Sequence, residues 1–146
     1  MIKNILVVCV GNICRSPMAE ALLAKALGGN DEYVVESAGL GALVGHAADP
    51  FVIELMDEIG VDVRGHRARQ IHPNMVEAAD LVLVMTSGHK RAIADADPTA
   101  RGKIHRLGEW QERDIDDPYR QPRAAFVDAM REIEEGVASW ADKIRA

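Results

Sequence analysis

Residues 5–17 read I-L-V-V-C-V-G-N-I-C-R-S-P, and this stretch decides the fold. Ile5–Val8 is a short, continuous apolar run, the mark of a strand buried on both faces. From Pro17 to Leu27 the chain is rich in helix formers, and Gly28-Gly29 stops it. Between strand and helix lies a loop carrying both cysteines of the chain, a glycine, an arginine and a serine.

The same alternation continues downstream. Tyr33-Val34-Val35 reads as a second strand closing in Ser37-Ala38-Gly39. Asp49 caps and Pro50 opens a helix bearing Phe51, Ile53, Leu55, Met56 and Ile59, with Gly60 as its stop. A shorter helix covers Pro73–Ala79, and Asp80–Met85 is a third, wholly apolar strand after its first residue. Ser87 is the expected cap of a helix to about Ala94. Lys103–Leu107 is a weaker fourth strand, and a polar loop from Gly108 to Pro122 follows. Phe126, Met130, Ile133, Val137, Trp140 and Ile144 then recur at steps of four and three, one apolar stripe on a last helix. No repeat, linker or low-complexity tract interrupts the series. The expectation is one α/β domain over residues 1–146: a four-stranded parallel sheet, helices on both faces, flavodoxin-like. Such sheets bind ligands at the carboxyl ends of their strands, beside a topological switch point, which is where Cys9 falls.

Composition narrows the function. With 146 residues, 48% hydrophobic and 27% charged, the chain has the balance of a soluble globule; aromatics are only 4%, so aliphatic residues and methionine must build the core. A net charge of −6 argues against a nucleic-acid partner without excluding a local anion site. The apolar start is too short for a signal peptide and is broken by Gly11, Asn12 and Arg15; no run suits a spanning helix. No membrane insertion and a cytoplasmic location are expected. Two cysteines five positions apart make a poor disulfide framework, and reactive thiol chemistry fits better.

The loop itself describes an anion site. Unpartnered N–H groups at a helix start, aided by the helix dipole, attract an oxyanion. Gly11 permits positive φ and Asn12 tolerates it, so residues Val10 to Ser16, including Ile13 and Cys14, can curl into a nest. Arg15 can close that cradle with two charge-assisted bonds. A free cysteine is only about 3% thiolate at neutral pH, but the dipoles that favour phosphate also favour a thiolate at Cys9. Ser16 can hydrogen-bond the sulfur. Reading both cysteines as small buried hydrophobes leaves Gly11, Asn12, Arg15 and Ser16 without a purpose. No G-x-x-x-x-G-K-[ST] loop is present, and residues 39–45 have the wrong spacing for G-x-G-x-x-G.

A thiolate attacking phosphorus needs an acid for the leaving group, and phenolate is an easy one to expel because tyrosine titrates near 10. D-I-D-D-P-Y, residues 114–119, supplies candidates in Asp114, Asp116 and Asp117. Asp117 is extended by Pro118, and Tyr119 can wall a pocket against an aromatic substrate.

V-C-V-G-N-I-C-R-S-P and D-P-Y resemble the signature and acid loop of the low-molecular-weight protein-tyrosine phosphatases. Ser37–Gly39, Ala48–Pro50, His66–Gln70 and Ala79–Met85 resemble further landmarks of that family in the same order. The resemblance implies Cys9 as nucleophile, Arg15 as phosphate clamp and Asp117 as general acid and later base, with no metal and no cofactor. It implies that Asn12, Ser16, Ser37 and His66 support the loop, and that Cys14 is a redox partner forming a reversible disulfide with Cys9. Leu43 on the pocket rim and Arg120 after Tyr119 resemble the bacterial branch associated with exopolysaccharide production. The implied partner is a phosphotyrosine protein, a tyrosine autokinase with a tyrosine-rich tail. Arsenate reductases of the same fold need further cysteines beyond the loop, and none follows Cys14. A non-catalytic phosphate-binding module would not need Cys9 and Asp117 together. A metalloenzyme has no support in histidine spacing, and His72, His89 and His105 read as surface residues.

Overall fold

The computed structural model describes residues 1–29 and 31–146. Four strands, β1 (Asn4–Cys9), β2 (Val34–Gly39), β3 (Leu81–Val84) and β4 (Ile104–Arg106), form one parallel sheet in the order β2-β1-β3-β4. Five helices accompany them: α1 (Arg15–Ala26), α2 (Pro50–Glu58), α3 (Pro73–Ala78), α4 (Ser87–Ala96) and α5 (Arg123–Arg145). This all-parallel 2-1-3-4 order is the flavodoxin-like arrangement, and its switch point lies between β1 and β3.

Alternation along the central strands sends side chains to two cores. Ile5, Val7, Leu81 and Leu83 join Met18, Leu23, Met56, Phe126, Ile133 and Trp140, so α1, α2 and α5 cover one face. Leu6, Val8, Val82 and Val84 join Val76, Ile93 and Ile104, so α3 and α4 cover the other. Each such aliphatic side chain contributes about 1.5–3 kcal/mol by leaving water, which locks the register that places Cys9 at the end of β1. The expected stripe on α5 is buried throughout, and the Trp140 indole N–H donates to the Arg106 carbonyl at 3.0 Å.

Several sequence expectations change in detail. Thr86, not Ser87, caps α4: its hydroxyl accepts from the His89 N–H at 3.1 Å, while Ser87 is already helical. That helix runs on to Ala96, a 3-10 turn at Pro98–Lys103 takes in the first residue expected of the fourth strand, and a second at Glu109–Gln111 lies within the stretch expected to be a polar loop. Of the three histidines read as surface residues only His72 is exposed. His89 is half-buried at the start of α4, and His105 is half-buried with its ring 5.4 Å from Trp140.

Candidate active site

The loop after β1 is a bowl whose rim is tied outward. The carbonyls of Cys9, Val10, Gly11 and Ile13 accept from the N–H groups of Leu40, Gly41, Leu43 and Asp49, at 2.9–3.0 Å. The Asn12 carbonyl accepts from His66 Nε2 at 2.6 Å. In a trans peptide the C=O of one residue and the N–H of the next point in opposite directions. Five consecutive carbonyls turned outward therefore turn the N–H groups of residues 10–14 inward. The bowl ends where Cys14 stands as N-cap of α1, so the helix start adds its partial positive charge.

Asn12 holds the curl. It takes φ 60°, the left-handed conformation, whereas Gly11 keeps an ordinary φ, so the asparagine and not the glycine makes the turn. Its amide donates to Ser16 Oγ (2.7 Å) and Ser37 Oγ (3.0 Å), and its side-chain oxygen accepts from the Arg69 N–H (2.9 Å). Ser37 in turn donates to Glu20 Oε1 at 2.5 Å. Because Ser16 Oγ already accepts from Asn12, its own proton is free to point at Cys9 Sγ, 2.9 Å away.

Arg15 is almost wholly buried, at 2% exposure. Its Nη1 donates to the Ile115 carbonyl at 2.7 Å, and Nη2 lies 3.5 Å from the Asp117 carboxylate. Among the described residues its buried Nε has no partner, which leaves Nε and Nη2 as a fork for an oxyanion. Asp117, 44% exposed, stands across the same pocket. The cavity is about 130 Å³ and is lined by Cys9, Arg15 and Asp117 at the polar end and by Ile13, Leu43 and Tyr119 on the walls. A small space with apolar walls over a sulfur in a bowl of N–H groups suits a phosphorylated ring.

The family model of the low molecular weight phosphotyrosine protein phosphatases matches residues 4–146. The chain belongs to this family. It is 52% identical over 146 residues to the Ralstonia solanacearum protein named "Probable low molecular weight protein-tyrosine-phosphatase EpsP", covering 100% of this chain and 99% of that one. Among solved structures, Vibrio vulnificus Wzb in complex with benzylphosphonate aligns at 43% identity with a TM-score of 0.92, covering 98% of this chain and 99% of that one. The YwlE arginine phosphatase from Geobacillus stearothermophilus aligns at 35% identity and 0.90, covering 98% and 93%.

In the phosphatase the residues of the Cys9 loop meet Ser37, Leu43, His66, Asp117 and Tyr119 in one place, while Asp114, Asp116 and Arg120 stay outside the pocket lining. Cys9, Val10, Gly11, Ile13, Cys14, Arg15, Leu43, Asp117 and Tyr119 line the pocket, and Asn12, Ser16, Ser37 and His66 brace it from behind. Cys14 is a free, buried thiol; burial, then the nearby Asp49 and Asp117 charges, push its titration far above the usual range, so it stays neutral. The arsenate reductase alternative is not favoured, since no third cysteine exists. Of the three aspartates in the acid segment, Asp114 is bound to Ser87 and Arg106, and Asp116 is outside the pocket lining. Among the described residues no three His, Cys, Asp or Glu side chains gather to hold a metal ion, and no helix is long and apolar enough to cross a membrane.

Some participants escaped the sequence reading. Glu20 lies one helical turn beyond Ser16 on α1, a spacing that places both on one face. Arg69 gives its backbone N–H to Asn12 and its side-chain Nε to the Ser37 carbonyl, and Ile115 gives a carbonyl to Arg15; residue type gives no signal for the backbone contacts.

Proposed function

We propose that the phosphatase hydrolyses phosphotyrosine in proteins in two steps through a phosphocysteine. Cys9 sulfur attacks phosphorus, an S–P bond forms, the P–O bond to the ring breaks, and Asp117 gives its proton to the departing phenolate. Asp117, now a carboxylate, takes a proton from water as that water attacks phosphorus. The S–P bond breaks and the sulfur leaves as thiolate, its charge met by Ser16. Arg15 and the loop N–H groups hold the phosphoryl oxygens throughout. Neither metal nor cofactor takes part. The observation that carries this reading is the Cys9 Sγ–Ser16 Oγ contact of 2.9 Å at the floor of a pocket shared with Arg15 and Asp117.

Residues 1–146 act as one phosphatase domain in this reading, with Asn12, Ser37 and His66 as loop supports and Leu43 and Tyr119 as pocket walls. The substrate is a bacterial tyrosine autokinase linked to exopolysaccharide production. Likeness to proteins named EpsP and Wzb supports that partner, together with the leucine at 43 and the arginine at 120. Two unpaired cysteines suit a reducing cytoplasm. There Cys14 would shield the nucleophile by forming a reversible disulfide with it under oxidation.

The test is phosphate release from phosphotyrosine, phosphoserine and phosphoarginine peptides, in reductant and chelator, for the wild type and Cys9→Ser. Release from the tyrosine peptide alone, lost in the variant, is expected. Preference for phosphoarginine, or hydrolysis surviving in Cys9→Ser, would overturn the reading.

A further inference from the structure

Asp114 sits three residues before Asp117, and its contacts differ in kind. Its Oδ1 accepts from the Ser87 N–H (3.0 Å) and hydroxyl (3.4 Å), at the first residue of α4, and from Arg106 Nη1 (3.3 Å) at the end of β4. The next residue continues the attachment. Ile115 N–H donates to the Met85 carbonyl at 2.9 Å, just past β3, and its own carbonyl accepts from Arg15. Arg106 is fixed in turn: Nε lies 3.5 Å from Glu109, and its carbonyl takes the Trp140 indole N–H.

Beyond Ile115 most of the segment is exposed, and of residues 116–122 only Pro118 is buried. Among the described residues, Asp117 is met only by the 3.5 Å ion pair with Arg15 and by the Tyr119 N–H at 3.1 Å. Asp116, Asp117 and residues 119–122 are exposed. The Asp117 carboxyl thus stands between two fixed points, the Asp114–Ile115 attachment on one side and the buried Pro118 on the other, and its reach over Cys9 depends on where the first of them is pinned.

We infer that Asp114 is a positioning residue: the Ser87–Asp114–Arg106 clasp anchors the acid segment and sets the reach of Asp117 over the pocket. A carboxylate suits the place because it meets both the N–H end of α4, where helix dipole and free donors favour an anion, and a guanidinium. Burial opposes the charge, but the Ser87 N–H and Arg106 outweigh it and hold Asp114 below the usual carboxylate range. The clasp thus stays closed at neutral pH.

This inference rests on the reading of Asp117 as the acid, so its test carries both variants. Asp114→Ala, Asp114→Asn, Asp117→Asn and Asp114→Ala/Asp117→Asn are compared by kcat/KM on phenyl phosphate and on p-nitrophenyl phosphate, whose phenol leaves more easily. Inhibition by inorganic phosphate reports the bowl separately. Asp114→Ala should cost about tenfold on phenyl phosphate and under about threefold on p-nitrophenyl phosphate, since a misplaced acid matters most for a poor leaving group. Asp114→Asn, which keeps an oxygen for Ser87 but not the charge for Arg106, should fall between it and the wild type. Phosphate inhibition should stay within about twofold, and the double variant should be no worse than Asp117→Asn alone. Equal losses on both substrates with weakened phosphate binding would make Asp114 merely structural and overturn the inference. So would multiplying losses in the double variant, or wild-type rates in Asp114→Ala. If Asp117→Asn itself shows no leaving-group dependence, the acid assignment falls and the positioning role with it.

Discussion

Asn12 combines a left-handed backbone with three side-chain hydrogen bonds, to Ser16, Ser37 and the Arg69 N–H. Left-handed geometry at a residue with a side chain costs about 1–2 kcal/mol, and three hydrogen bonds, two of them buried, at about 1 kcal/mol each outweigh it. Asn12→Ala should therefore lower the unfolding free energy by about 3 kcal/mol, read from urea titration, and weaken inorganic phosphate binding as the bowl relaxes; unchanged phosphate binding would show that the bowl keeps its shape without this residue. The acid is a second residue-scale matter. Asp117→Asn should lower kcat/KM about 100-fold or more on a phosphotyrosine peptide, and Asp116→Asn only mildly, because Asp117 alone of the two lines the pocket. Equal losses would remove the assignment. Cys9, Arg15 and the candidate acid segment were legible because thiol, guanidinium and carboxylate carry their chemistry in their type. The parts played by Ser37 and His66 came through family resemblance. Which of Gly11 and Asn12 makes the turn was not legible, since both residue types tolerate it.

At the scale of elements, α5 is pressed against the chain just past β4 at Gly136. A Cβ built there would stand 2.6 Å from the Leu107 carbonyl and 2.9 Å from its side chain. Glycine in mid-helix normally costs about 1 kcal/mol against alanine, so its place here reflects that close approach. Gly136→Ala should destabilise by about 1–3 kcal/mol, seen as a lower thermal midpoint, with kcat/KM nearly unchanged because the site lies elsewhere on the sheet. A stabilised variant would mean that α5 can move outward without loss. The strands and longer helices could be read directly, since continuous apolar runs and a stripe at steps of four and three have one economical explanation each. The start of α4 was misplaced by one residue because Thr86 and Ser87 are both good caps. The Thr86 hydroxyl takes the His89 N–H, and the Ser87 N–H goes to Asp114, a partner remote in sequence that no local pattern announces.

Across the whole molecule, titration follows from what the fold buries. Burial lowers the titration of His89 and His105 below the ordinary 6.5, so the folded chain binds fewer protons than the unfolded one below that pH. Stability should be full above about pH 6.5 and decline as pH falls through it, and His89→Asn/His105→Asn should flatten the slope in urea midpoints. A second decline should begin below the ordinary 3.8 of a carboxyl, as Asp80, held down by the Asn4 and Lys3 N–H groups, and Asp114 become protonated. A slope unaltered by the histidine changes would refute the first part. The sheet order was foreseeable from strand and helix alternation, while the half-buried state of those two histidines depended on packing of α4 and α5 that no local pattern encodes. The proposed reaction stands on a covalent phosphoryl group on Cys9. It is measured by acid quenching of Asp117→Asn during turnover of p-nitrophenyl phosphate, followed by peptide mass analysis. One phosphoryl group is expected on the peptide containing Cys9, and none in Cys9→Ser. Modification elsewhere, or turnover with no phosphoenzyme at any time, would contradict it.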